Sequence, residues 1–188
     1  MPEGNALRPT LWRTCRVLAN RRRLRILGWL LAHPNQSVSS VAQRLRLSLP
    51  VTSRYLRALE ARGLTRTRRA GPWVCYRPEA HPSVPGAIAL LKAIRRVFAT
   101  ADDPVEMIYR NATAFTHPRR LRIMRVLGAS GRTMESLRRE AGLSRRALSR
   151  HLRKLASRRF VVRQADRCRR ASPRGRFARV LLELACGQ

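Results

Sequence analysis

Acidic side chains are scarce in this chain: 10 Asp or Glu stand against 41 Lys or Arg among 188 residues, a formal charge of +31. The few carboxylates are scattered, so no paired acid and base can be picked out. Neither a Ser, His, Asp arrangement nor a glycine-rich phosphate loop occurs, and the chain does not read as an enzyme. Lysine is nearly missing too, since only Lys92 and Lys154 carry it. Arginine supplies the charge, and its planar fork makes bidentate contacts to phosphate and guanine; a GC-rich genome gives the same bias. The longest apolar run, residues 26–32, has seven residues, far from the roughly 20 of a membrane-spanning helix. Residues 1–5 lack the basic start and apolar stretch of a secretory signal. The expected compartment is the cytoplasm, with no membrane partner.

What is present is 44% hydrophobic residues, enough for compact cores in one medium domain or two small ones. Residues 1–100 hold 19 basic and 3 acidic side chains, and residues 101–188 hold 22 and 7, so the halves carry +16 and +15. A basic tail on a neutral domain is excluded. Both halves should meet a polyanion, and nucleic acid is the default.

The halves repeat one another. Arg22, Arg23, Leu24, Arg25 and Ile26 match Arg119, Arg120, Leu121, Arg122 and Ile123 at an offset of 97. After a one-residue deletion the offset is 96, and Leu47, Ser48, Ser53, Arg54, Leu56, Arg57, Leu59 and Arg62 match Leu143, Ser144, Ser149, Arg150, Leu152, Arg153, Leu155 and Arg158. The register holds through apolar and polar positions alike.

Each copy has the same pattern. Leu24, Leu27, Leu30 and Leu31 recur at helical spacing until Pro34 and Asn35. A short helix with Val38, Val41, Ala42 and Leu45 inward follows. Leu47 and Ser48 turn the chain, Ser48 as N-cap with Pro50 in the first turn. The next helix buries Thr52, Leu56 and Leu59 and stops at Gly63. Residues 64–69 and 73–77 around a turn at 70–72 read as a hairpin. In the second copy Leu121, Met124 and Leu127, then Met134 and Leu137, then a turn at Gly142, Leu143 and Ser144 lead to a helix burying Leu148, Leu152 and Leu155. Phe160, Val161 and Val162 open a second hairpin, but 167–171 makes a poor returning strand, so a short or frayed wing is expected. Long helices should cover 7–20, 84–99, 104–116 and 174–185, with a linker of a few residues before Pro104.

The pattern predicts a mainly α fold of tandem winged helix-turn-helix domains with small β-hairpin wings, divided as 1–100 and 101–188. Residues 18–77 resemble the ArsR-type transcriptional regulators, particularly Leu18, Ala19, Asn20, Arg23, Leu24, Arg25, Ile26 and Leu27, then Ser53 to Glu60, with Trp73, Val74 and Tyr76 resembling that family's wing. Residues 115–162 resemble a more diverged copy. The resemblance implies binding to double-stranded promoter DNA through recognition helices whose outward residues reach base edges. That set is Leu49, Pro50, Ser53, Arg54 and Arg57 in the first copy and Arg145, Arg146, Ser149, Arg150 and Arg153 in the second. Members of the family often carry glutamine where Leu49 and Arg145 stand and threonine where Val51 and Ala147 stand; this chain departs there, and Leu49 and Val51 can instead touch thymine methyls. Arg66, Arg68 and Arg69 on the first wing, and Arg163, Arg167, Arg169 and Arg170 on the second, are expected on phosphates or in the minor groove. The arginines beside Leu24 and Leu121 are read as solvating a scaffold helix.

Many ArsR relatives sense metals through paired cysteines near the first helix of the motif, but residues 37–42 hold none. Cys15, Cys75, Cys168 and Cys186 show no zinc spacing. No metal or cofactor is expected. Cys168, among Arg167, Arg169 and Arg170, is the one cysteine whose surroundings favour a thiolate, with incidental arginine neighbours the stronger account. His33 and His117 fall at helix ends, His81 in a connector, and His151 reads as a half-buried scaffold residue. ArsR-like proteins pair as homodimers through their first and last helices. A single chain with both copies therefore suggests a monomeric pseudo-dimer, nucleoid-associated, with Leu11, Val17, Ile88, Leu91, Ile94, Val105, Ile108, Val180 and Leu184 along the seam; a further homodimer is the opposing possibility. Two other function classes fit the charge: a structured RNA-binding or ribosome-associated protein, and an architectural DNA-coating protein.

Overall fold

A computed structural model describes residues 10–128 and 130–187. The first half runs α1 (Leu11–Leu18), α2 (Arg21–Ala32), β1 (Gln36–Ser37), α3 (Val38–Leu45), α4 (Leu49–Glu60), β2 (Arg66–Ala70), β3 (Trp73–Arg77) and α5 (Ala87–Thr100). The second runs α6 (Pro104–Ala112), a 3-10 turn (Thr113–Phe115), α7 (Pro118–Leu127), β4 (Arg132–Thr133), α8 (Met134–Ala141), α9 (Arg145–Ser157), β5 (Val161–Gln164), β6 (Arg167–Arg170) and α10 (Arg176–Cys186). The result is a mainly α fold with two tandem winged helix-turn-helix units.

The repeat extends to the caps. Asn20 accepts from the Arg23 N–H at the start of α2, and His117 Nδ1 accepts from the Arg119 N–H at the start of α7. Ser37 and Thr133 cap α3 and α8 in the same way, each through the N–H three residues on. Each such cap is worth about 1 kcal/mol. Ser144 caps α9 with its side chain, whereas Ser48 holds the N-cap position of α4 without a side-chain bond. Apolar positions three and four apart bury Thr52, Leu56 and Leu59 on α4 and Leu148, Leu152 and Leu155 on α9, as expected.

Two strands of only two residues were not expected. Gln36–Ser37 pairs with β3 and Arg132–Thr133 with β6, so each sheet has three strands, ordered β1-β3-β2 and β4-β6-β5. This also corrects the frayed second wing. The arginine-rich β6 is the central strand, with Cys168 buried and Arg170 Nε donating to the Met124 carbonyl oxygen at 2.9 Å. Both wings turn on two residues: Ala70 pairs with Trp73 across Gly71 and Pro72, and Gln164 with Arg167 across Ala165 and Asp166. The helix expected over 104–116 gives way to the 3-10 turn at Thr113. For the helix expected over 7–20, residues 7–9 lie outside the described residues.

Elements of the two halves touch. The helix α1 packs on α6 and the 3-10 turn, α2 on α6, and α5 on both α6 and α10. Arg21 lies 3.7 Å from the centroid of Tyr109 and 2.7 Å from the Glu106 carboxylate. Within the first half, the Phe98 ring of α5 lies so close to Gly28 of α2 that a Cβ there would clash with it. Among the seam residues, Leu11, Val17, Leu91, Ile94, Ile108 and Val180 are buried, and Val105 and Leu184 pack half-buried against the core. Ile88 is the exception at 61% exposed. It shares an outward stripe with Lys92 and Arg95, at spacings of four and three. Among the described residues no helix is long and apolar enough to cross a membrane.

Candidate nucleic-acid interface

In each unit the chain leaves α3 or α8 through a residue in the left-handed region, crosses an apolar anchor and a serine, and enters α4 or α9. The residues are Arg46 (φ 51°), Leu47 and Ser48 in the first unit and Gly142 (φ 60°), Leu143 and Ser144 in the second. With the apolar stripe inward, Leu49, Pro50, Arg54 and Arg57 are exposed on α4 and Ser53 is half-buried. On α9, Arg145, Arg146, Arg150 and Arg153 are exposed and Ser149 is half-buried. Both outward faces thus contain the residues expected there.

The faces differ in chemistry. Arg57 bends back on its own helix, its Nε and Nη2 donating to Ser53 Oγ at 3.2 and 2.9 Å. Leu49, 55% exposed, gives α4 an apolar leading edge. Among the described residues none of Arg145, Arg146, Arg150 or Arg153 forms an ion pair. Exposed guanidiniums without carboxylates raise the local positive potential and await an external anion.

On the first wing Arg68 and Arg69 are exposed, but Arg66 at its base is held by Glu79 at 2.6 Å, and Arg77 shares that carboxylate at 2.7 Å. On the second wing Arg163, Arg167 and Arg169 are exposed. Arg170 is not: its Nε and Nη2 donate to the Met124 and Arg125 carbonyls at 2.9 and 3.2 Å, so it fastens β6 to α7 rather than facing solvent.

Sequence reasoning missed two features. Arg22, Arg25, Arg44 and Arg46 line a groove of about 560 Å³ with Ser48 and Val51, beside the start of α4. The first two were read as scaffold solvation, yet the repeat preserves them as Arg119 and Arg122, which was the available signal. Trp73 is 61% exposed at the wing turn, where a large ring has no core to join.

The surroundings of Cys168 agree with incidental arginine neighbours rather than a thiolate. Cys168 is buried against Met134, 3.6 Å between sulfurs, and burial pushes its thiol up, with Arg163 opposing. Its sequence neighbours Arg167 and Arg169 are on the other face of the strand, so their charge does not make a thiolate. Burial likewise raises the Cys15 and Cys186 thiols. His151 is buried rather than half-buried. Among the described residues no three His, Cys, Asp or Glu side chains gather as a metal site.

Comparison with known families gives two matches. Residues 20–64 match the family described as winged helix-turn-helix DNA-binding, and residues 115–164 match the family described as helix-turn-helix domain. Comparisons with curated proteins and with solved structures returned no match. The two matched segments contain α2 to α4 and α7 to β5, the elements that position the outward arginines. Both segments are thus similar to helix-turn-helix domains, the first to a family described as DNA-binding.

Proposed function

We propose that this protein is a sequence-specific transcriptional regulator of ArsR type that occupies promoter DNA through α4, α9 and the basic wings. The observation that carries the proposal is the recurrence, at a fixed offset, of the same turn and helix with outward residues free of carboxylate partners. Arg145, Arg146, Ser149, Arg150 and Arg153 serve as the polar reader. Leu49, Ser53, Arg54 and Arg57 serve as the more apolar one, suited to thymine methyls. Arg68, Arg69, Arg163 and Arg167 grip the backbone, and Arg66 joins them when phosphate replaces Glu79.

The division into units at 1–100 and 101–188 and the pseudo-dimer belong to the same proposal. Contacts of α1 with α6 and of α5 with α10 support it, since first and last helices meet first and last helices. The two readers would then lie about 34 Å apart, one turn of DNA, on unequal half-sites of an imperfect palindrome. Selection of bound duplexes from a random pool, with salt-matched RNA as competitor, tests the function. An enriched two-part motif of fixed spacing is expected. Equal binding to all duplexes would favour an architectural role, and preference for RNA would favour the ribosome-associated one.

A further inference from the structure

The two units differ where α4 or α9 faces the start of α2 or α7. In the second unit a pocket of about 500 Å³ opens there, lined by His117, Arg120, Arg150, His151, Arg153 and Lys154. The matching residues of the first unit are Asn20, Arg23, Arg54, Tyr55, Arg57 and Ala58. Tyr55 stands at the position of His151 and packs half-buried against the core, with the Arg23 and Arg54 guanidiniums 5.5 and 5.9 Å from its ring centroid. Histidine in place of tyrosine leaves room, and lysine in place of alanine adds a cation.

Two buried polar atoms beside the pocket lack partners. His151 is 4% exposed, and its Nε2 is buried without a hydrogen bond. Arg120 Nε is buried and unpaired as well, although its Nη2 is held by the Thr113 carbonyl and the Thr116 hydroxyl. His117 Nδ1 accepts from the Arg119 N–H, which leaves its proton on Nε2 as a donor. The two imidazoles stand 4.8 Å apart. The charges that face them are all positive: Arg119, Arg120 and Arg150 face both rings, and Arg16 faces His117 from α1. Arg158 and Arg120 face Lys154. Burial first, then these cations, hold His151 down to about 4 and His117 below the usual imidazole range. Cations and buried donors without a carboxylate are stabilised by an anion that satisfies them together.

We propose that this pocket binds a phosphate-type oxyanion, taken between Arg150, Arg153, Lys154 and the His117 and His151 imidazoles. Guanidinium, ammonium and imidazole donors converging from α7 and α9 suit a multi-oxygen anion, and the volume leaves space for a small group esterified to it. The phosphate belongs either to a free phosphorylated compound or to the DNA backbone. Because Arg150 and Arg153 also lie on the reading face, a free ligand would compete with DNA. Only that coupling rests on the proposed function; anion binding itself does not.

The test follows the imidazole carbon-bound proton resonances of the intact protein during titration with inorganic phosphate, at ionic strength held constant with chloride. His151 and His117 should shift saturably and titrate at higher pH, while His33 and His81, outside the pocket, stay put. Lys154→Ala should weaken the response at least threefold, and His151→Tyr, which installs the residue of the first unit, should abolish the His117 shift. Equal movement of all four histidines, or responses unchanged in both variants, would overturn the proposal. A second arm adds a short duplex in place of phosphate. If duplex moves the same resonances and His151→Tyr lowers duplex affinity, the phosphate is that of DNA. If His151→Tyr binds duplex normally and phosphate displaces duplex from the unsubstituted protein more than chloride does, the ligand is a free anion. Failure of the protein to bind any duplex would leave the phosphate arm readable and count only against the regulatory function.

Discussion

The two winged units share a core and differ in their faces. Some buried positions are identical, Leu24 with Leu121, Leu56 with Leu152 and Leu59 with Leu155, while others stay buried with a changed side chain, Thr52 with Leu148 and Leu64 with Phe160. Surface positions match only in part, as Ser53 with Ser149, Arg54 with Arg150 and Arg57 with Arg153, and the exchanges among the rest are patterned. Where the first unit turns on Arg46 (φ 51°) the second has Gly142, and where the first has Gly63 (φ 64°) the second turns on Arg159 (φ 61°). Where α4 begins Leu49, Pro50, α9 begins Arg145, Arg146. Packing holds the apolar pattern of the interior in common, with changes of volume accommodated by repacking. The outward residues are free of that packing constraint.

The strongest way to break the comparison is to open a cavity in one unit and watch the other. Leu56→Ala and Leu152→Ala should each cost about 2 to 5 kcal/mol, the range for a fully buried leucine. Because α5 packs on α10 and α1 on α6, denaturant unfolding followed by far-ultraviolet circular dichroism should show one transition shifted by either substitution. Two transitions, only one of which moves, would make the units independent. The comparison is sharpened next at the readers. Arg150→Ala or Arg153→Ala should cost roughly 1 to 3 kcal/mol at the selected site, and Arg54→Ala less. Equal losses on random duplex would remove the distinction between the faces.

Backbone strain comes next in size. Arg46→Gly and Arg159→Gly each remove a Cβ from the left-handed region, and each should stabilise the fold by about 1 kcal/mol in chemical denaturation. A gain at one site alone would show that the turns are not equivalent. The smallest effect concerns the wing. Arg68→Ala should weaken all duplexes alike and flatten the plot of log affinity against log salt by about one unit of slope, whereas Arg170→Ala should act on stability instead, since that side chain holds α7.

Helices with apolar residues three and four apart were legible in the sequence because burial enforces the spacing: α2 to α4 and α7 to α9 follow it. The arginine-rich strand β6 was not. Its formation depends on lying between β4 and β5, a long-range fact that local β-propensity does not contain. Strands β1 and β4, at two residues each, are too short to show a period. The outward arginines of α4 and α9 were legible from the helical period and the repeat. The basic groove at Arg22, Arg25, Arg44 and Arg46 needs α2 and α3 brought side by side, and the oxyanion pocket needs α7 against α9. In the sequence His117 and His151 are only two separate helix residues; folding puts their rings together.

Only Ala101, Asp102 and Asp103 separate α5 from α6. That tether has a consequence for dosage. Two-chain readers come apart on dilution, and their site occupancy falls with more than the first power of protein concentration. When both readers are translated as one polypeptide, each is the other's neighbour at an effective concentration on the order of millimolar, whatever the number of molecules in the cell. On the proposed function, occupancy of a two-part site should then rise with the first power of concentration.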